Sequence, residues 1–189
     1  VLLNKKREIT HVVTGDFIEA HERGCELSRQ IIGIKADRKV DIAVTTNSGA
    51  PLDLDFYQTV KGIHNAAMLT REGGIIIAVS ACSTGVGPEE FRELHASFGS
   101  PQEVSQKIKY DEPIGVQWNN QCLARVQMRN SIYLASNLED SVVREMKVTP
   151  IKTVEEGLEK AFELLGDDAE IAVIPEGPLV LPLIDTPVF

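Results

Sequence analysis

Tyr57, Gln58 and Lys61, spaced Tyr-Gln-x-x-Lys at the start of an apolar-periodic run, are the residues whose types and spacing best suit chemistry. On a helix advancing about 100° per residue, Phe56, Val60, Ile63 and Ala67 fall on one stripe, which must face a core. Tyr57, Lys61, His64 and Met68 form a second stripe about 100° away, with Gln58 on its flank. Tyr57, Gln58 and Lys61 therefore face one cleft together. A helix N-terminus adds unpaired N–H groups and partial positive charge, so an ammonium, an amide donor and a phenolic hydroxyl placed there suit a small carboxylate. The plainer reading makes Lys61 and Gln58 a solvated face and Tyr57 a boundary residue.

Other chemical groups carry weaker signals. ACSTGVGPEEF is entered from a strand and left into a helix, but it lacks the Gly-Lys-Ser/Thr ending of a P-loop and the spacing of a dinucleotide fingerprint. Glu89 and Glu90 would repel a phosphate there, so the Gly85/Gly87 loop reads as a turn, with Ser83 and Thr84 as the hydroxyls open to a ligand. His11, His21, His64 and His95 lack metal-ligand spacing; His64, on the stripe of Lys61, is the candidate for an accessory role. Trp118, the single tryptophan, reads as core or as the apolar wall of a ligand pocket. Cys25, Cys82 and Cys122 are odd in number and lack CxxC spacing, which predicts buried thiols.

The elements that must position these groups alternate helix with strand. ITHVVT reads as a strand and FIEAHERGCELSRQII as a helix whose Phe17, Ala20, Leu27 and Ile31 share a stripe. Val40–Val44 is a buried strand, and a helix capped by Asp53 or Asp55 runs to about Thr70. A turn at Gly73-Gly74 precedes a strand from Ile75 to Val79. Helices follow that start at Pro88, after Ser100 and within GVQWNNQCLARVQ, then the strand SIYLAS, the short helix LEDSVVREM and the edge strand VTPIK. A helix from cap Thr153 to stop Gly166 leads to the strand EIAVIP, and the Pro-rich EGPLVLPLIDTPVF reads as irregular. This order predicts an α/β fold, layered, with a mostly parallel sheet flanked by helices.

With 189 residues, 43% of them hydrophobic, the chain can bury a proper core. A net charge of -9 argues against nucleic acid or an anionic membrane surface as a partner, while leaving room for a local basic site. Its apolar runs fall short of the roughly 20 residues that span a bilayer, and no basic-then-apolar leader is present, so the expected setting is cytoplasmic. The chain opens without Met and directly on a strand-like pattern, as a piece of something longer would.

NSGAPLDLDFYQTVKGIHNAA followed by REGGIIIAVSACSTGVGPEEF resembles the C-terminal part of the nickel-dependent lactate racemase family. Gly49, Pro51, Asp53, Tyr57, Gln58 and Lys61 occupy that family's Gly-x-Pro-x-Asp-x-x-x-Tyr-Gln-x-x-Lys-like positions. VVTGDFIEAHERG is similar to the strand-to-helix segment leading into this domain, and the match at QWNNQ is looser, Asn119 replacing a glutamine.

The resemblance implies a racemase or epimerase of 2-hydroxy acids that uses a nickel pincer nucleotide. The cofactor would take a hydride from C2 while a histidine removes the hydroxyl proton. Gln58 and Lys61 would hold the substrate carboxylate, and Tyr57 and Trp118 would shape the pocket. The cofactor lysine, nickel ligand and catalytic histidines belong, in this resemblance, to an N-terminal domain missing from this chain. Residues 1–35 would then connect to that domain, residues 36–189 would form the substrate-binding domain, and the chain alone would be inactive. The competing reading is a non-catalytic module that binds small carboxylates.

Overall fold

The computed structural model describes residues 1–4 and 6–184. A short antiparallel pair, β1 (Leu2–Leu3) and β2 (Ile9–His11), precedes helix α1 (Phe17–Ile32) and strand β3 (Gly33–Lys35). The main body runs β4 (Val40–Thr46), α2 (Phe56–Leu69), β5 (Thr70–Val79), α3 (Glu89–Ala96), α4 (Pro101–Tyr110), α5 (Gln117–Gln127) and β6 (Ser131–Ala135). It continues with α6 (Asp140–Glu145), β7 (Thr149–Ile151), α7 (Val154–Leu165), β8 (Ile171–Ile174), a 3-10 turn (Gly177–Leu179) and β9 (Leu181–Leu183).

The central sheet has five strands in the order β7-β6-β5-β4-β8, every neighbouring pair parallel. Outward steps from β4 to β7 keep α2, α5 and α6 on one face, where Phe56, Val60, Ile63 and Ala66 of α2 join Ala43, Ile76, Leu123 and Leu134 in the larger core. The return from β7 to β8 carries α7 across the other face, burying Ile42, Val44, Ile75, Ile77 and Ala161. Right-handed crossovers demand this two-faced layout once the chain reverses direction along a sheet. It is the layered, parallel α/β architecture that the alternation predicted.

Local chemistry sets the ends of α2. Asp55 in extended conformation caps it, its carboxylate accepting from Gln58 N at 2.7 Å, and the helix stops one residue before Thr70. The α7 cap at Thr153 and stop at Gly166 match the sequence reading too.

Several expectations are corrected. No turn forms at Gly73-Gly74; β5 begins at Thr70 and bulges, since the register passes from Val40↔Thr70 to Ile42↔Ile75, and Gly73 takes φ 75° to absorb the unmatched residues. Pro88 caps α3 instead of opening it. The expected stripe of α1 is only partly covered among the described residues: Ala20 and Leu27 are half-buried, Phe17 is 80% exposed, and no residue of the helix is fully buried. Of the thiols only Cys82 is buried; Cys25 and Cys122 are half-exposed. The Pro-rich end is not irregular throughout, since β9 pairs in parallel with β3, a strand that the sequence did not mark; residues 185–189 of that stretch lie outside the described residues. Among the described residues, no helix is long and apolar enough to cross a membrane.

Candidate functional site

The β4–α2 and β5–α3 connections leave the C-terminal edge of the sheet side by side, where parallel sheets place ligands. Asp53 ties the two together, its carbonyl accepting from Cys82 N at 2.8 Å and its carboxylate from Ala81 N at 3.4 Å. Thr84 binds Leu54 O through both its N–H and its hydroxyl, each at 2.8 Å, so that hydroxyl is committed to the loop. Beneath them Thr59 Oγ1 lies 2.6 Å from Ser80 Oγ.

The Gly85–Gly87 stretch straps the front of α2. Gly85 O accepts from Phe56 N at 3.2 Å and Val86 O from Tyr57 N at 2.8 Å. With Gln58 N held by Asp55, the first N–H groups of α2 all have partners. The expectation that these N–H groups bind an anion is thereby corrected: the loop offers them carbonyl oxygens, and any anion at this end must be met by side chains. The reading of Gly85 and Gly87 as a structural turn fits this arrangement. Gly87 has φ 109°, and a Cβ there would stand 2.6 Å from the Cβ of Tyr57.

Lys61 is exposed, and its Nζ donates to Gln58 Oε1 at 2.6 Å. Tyr57 is half-buried, its ring edge-on to Phe91 at 5.3 Å and to Trp118 at 6.0 Å between centroids. Trp118, at the start of α5, leaves 52% of its surface in solvent, so it is not the core residue that one reading allowed. The structure thus pairs Gln58 with Lys61 and Tyr57 with Trp118, all on the first turns of α2 and α5. His64 lies further along α2 and lines a different cleft, with Lys39, Arg125 and Arg129. Burial, and after it the charge of Arg125, holds the His64 imidazole below its ordinary pKa.

One positioning residue escaped the sequence reading. Asn119 is buried, and its Nδ2 donates to Tyr57 O at 2.7 Å across 62 residues of sequence, locking α5 to the first turn of α2. A polar side chain next to Trp118 in an amphipathic helix gives no sign of its partner.

The lactate racemase C-terminal domain matches residues 35–181. The chain belongs to the lactate racemase family. It is 32% identical over 185 residues to lactate racemase of Thermoanaerobacterium thermosaccharolyticum and 34% identical over 181 residues to that of Lactiplantibacillus plantarum. These alignments take in 96% and 94% of this chain but only 43% and 42% of the two relatives, so the chain spans less than half of the curated lactate racemases it matches. The structure of the T. thermosaccharolyticum lactate racemase apoprotein superposes with TM-score 0.87 and 31% identity, covering 96% of this chain and 44% of the other. A crystal structure of a Thermotoga maritima protein, 17% identical with TM-score 0.57, shares the fold over 89% of this chain and 43% of its own.

Proposed function

We propose that this chain supplies the substrate-binding half of a racemase or epimerase acting on lactate-like 2-hydroxy acids, with Gln58 and Lys61 holding the carboxylate and Tyr57 and Trp118 walling the pocket. The observation that carries this reading is the 2.6 Å Lys61–Gln58 hydrogen bond. It turns the amide oxygen toward the ammonium, leaving the amide NH2 to point elsewhere, so one exposed surface presents a charged and a neutral donor together. A hydroxy-acid carboxylate is ionised at neutral pH, and a charge-assisted contact plus an amide donor fixes its plane. Trp118, exposed beside Tyr57, gives an apolar surface that a short aliphatic substituent can shield.

Inverting C2 requires that hydrogen leave one face and return to the other, and an anchored carboxylate keeps the carbon in place meanwhile. Fixing that geometry lowers the barrier by avoiding an entropic cost. The resemblance implies that a nickel pincer nucleotide supplies the hydride chemistry. Among the described residues no three His, Cys, Asp or Glu side chains converge into a metal-holding group, so the present residues do not fit that metal and no step is routed through it here. Its site, with the proton-transferring histidines, falls in our reading to an N-terminal domain reached through residues 1–35, and residues 36–189 act as the substrate domain. The exposed Phe17 and Ile31 on the stripe of α1 support a partner of that kind.

The test joins this chain to the rest of its longer protein and follows interconversion of D- and L-lactate. Lys61→Ala should cut kcat/KM roughly 10- to 100-fold, the scale of one charged hydrogen bond, with partial recovery in Lys61→Arg. An unchanged rate in Lys61→Ala sinks the assignment.

A further inference from the structure

Beneath the first turn of α2 lie three polar side chains that the proposed pocket does not touch. Thr59, Ser80 and Cys82 are 2%, 3% and 2% exposed, and Cys82 belongs to the larger core with Phe56, Ala78 and Val86. Their distances set the direction of the protons. Thr59 Oγ1 lies 2.9 Å from Asp55 O, a carbonyl that can only accept, so the Thr59 hydroxyl donates there. Ser80 Oγ, 2.6 Å from Thr59 Oγ1, must then donate to it, which leaves the longer 3.4 Å approach of Ser80 to Asp53 O unmade. Cys82 Sγ, 3.5 Å from Ser80 Oγ, donates to that oxygen. Burial, outweighing the hydrogen bonds from Ser80 and Thr59, pushes the Cys82 thiol pKa up, so it keeps the proton it shares.

The bonds run as one chain, Cys82 to Ser80 to Thr59 to Asp55 O, from the end of β5 into the cap residue of α2. Aligned donors in a low-dielectric interior polarise and strengthen one another. Asp55 also takes the Thr59 N–H at 3.2 Å on the same carbonyl and the Gln58 N–H at 2.7 Å on its carboxylate. The residue that ends the chain therefore holds the backbone of Gln58. A threonine hydroxyl inside a helix returns unaided to the carbonyl four residues back, and that habit accounts for the Thr59–Asp55 bond. It does not account for a buried serine and a buried thiol lined up behind that threonine. Nor does it account for Cys82 at φ 48°, a left-handed conformation uncommon outside glycine, with its N–H on Asp53 O at 2.8 Å.

We infer that Thr59 and Ser80 are positioning residues for the substrate carboxylate: their hydrogen-bonded pair fixes the first turn of α2 against β5 and so sets where Gln58 and Lys61 present their donors. This role rests on the reading of Gln58 and Lys61 as the carboxylate clamp. A displaced clamp weakens the grip on substrate and transition state alike, so the loss falls on KM. The direction of the chain also ranks its members, because Thr59 meets Asp55 directly and Ser80 acts through Thr59.

The experiment follows interconversion of D- and L-lactate by the reconstituted longer protein, with a urea midpoint recorded for each variant. Thr59→Val keeps the shape and removes the hydroxyl; it should raise KM roughly fivefold or more with kcat within about twofold of wild type, the scale of one buried hydrogen bond. Thr59→Ser should stay within about twofold in both constants, since it keeps the donor and the acceptor. Ser80→Ala should raise KM less than Thr59→Val, and the double variant no further than Thr59→Val alone. Ala161→Gly in α7, buried on the opposite face of the sheet, supplies a destabilised control whose KM stays at the wild-type value. Lys61→Ala, run alongside, tells the two proposals apart. If it loses activity while Thr59→Val keeps the wild-type KM, the positioning role fails and the clamp stands; if Lys61→Ala is unchanged, both fall. A rise in KM shared by Ala161→Gly, or a Thr59→Ser as impaired as Thr59→Val, also overturns the role, since either reports only lost stability or packing. Should Thr59→Val not fold, a wild-type KM in Ser80→Ala overturns it instead.

Discussion

Gln58 Oε1 accepts from Lys61 Nζ one turn further along α2, at 2.6 Å. The amide therefore serves as acceptor toward Lys61 and, on the proposed reading, keeps its NH2 as donor for the substrate carboxylate. Gln58→Glu keeps the shape but replaces the donor with a carboxylate that pairs Lys61 and repels an anionic substrate. In the reconstituted longer protein it should lower kcat/KM roughly tenfold or more, chiefly through KM, with the urea midpoint of the domain unchanged. A fall in kcat at constant KM would place Gln58 in the reaction rather than in binding.

Gly87→Ala tests the strap over α2. The substitution forces a side chain into φ 109° and a Cβ to within 2.6 Å of the Tyr57 Cβ, so loop or helix must move. A loss of about 1–3 kcal/mol in unfolding free energy is expected from the strained conformation and the overlap. Because Trp118 is the single tryptophan and its ring meets Tyr57 edge-on, its fluorescence should shift in the folded variant. Wild-type stability with wild-type emission would contradict the described packing.

What could be read from sequence divides by range. The cap at Asp55 and the buried stripe of Phe56, Val60 and Ile63 are written within one helix length, and the pairing of Gln58 with Lys61 follows from helix spacing. The N–H groups of α2 looked available because their acceptors, Gly85 O and Val86 O, arrive from a different connection. The pairing of β3 with β9 joins stretches far apart in the sequence, Gly33 to Leu181, through short segments with no periodicity to mark them. In α1 the apolar stripe was legible, yet amphipathicity records only that a face exists, not what covers it.

Asn119 offers a test of such a long-range contact. Its Nδ2 bond to Tyr57 O is buried, while its Oδ1 has no partner among the described residues. Asn119→Ala should cost about 1–3 kcal/mol in urea unfolding, the scale of one buried hydrogen bond with its partner left behind. Asn119→Asp should cost more, because it sets a charge where the partner is a carbonyl oxygen and Oδ1 has no hydrogen-bond donor among the described residues. If the two variants were equally stable, the carboxylate would have found a donor and the geometry around α5 would need revision.

The pH dependence of stability should report on His95. This ring is fully buried, its Nε2 lies 2.8 Å from Gln127 Oε1, and Nδ1 has no partner among the described residues. Gln127 spends its Nε2 on Met146 O and Lys147 O, at 2.7 and 3.2 Å, so its oxygen must accept and the neutral ring carries its proton on Nε2. A second proton on Nδ1 would then be buried without an acceptor. Burial lowers the His95 pKa to about 4, the Gln127 hydrogen bond opposing this and the Lys147 charge adding to it. Since the unfolded chain binds the proton near the ordinary value of about 6.5 and the folded chain only near 4, falling pH favours the unfolded state throughout that interval. Stability from this group is fully present above pH 6.5, declines as the pH falls, and levels off below about 4, a total of about 3 kcal/mol. Urea midpoints measured across that range should fall with pH in the wild type and fall less in His95→Gln, which cannot titrate. Parallel profiles for the two proteins would show that His95 takes up its proton as readily folded as unfolded.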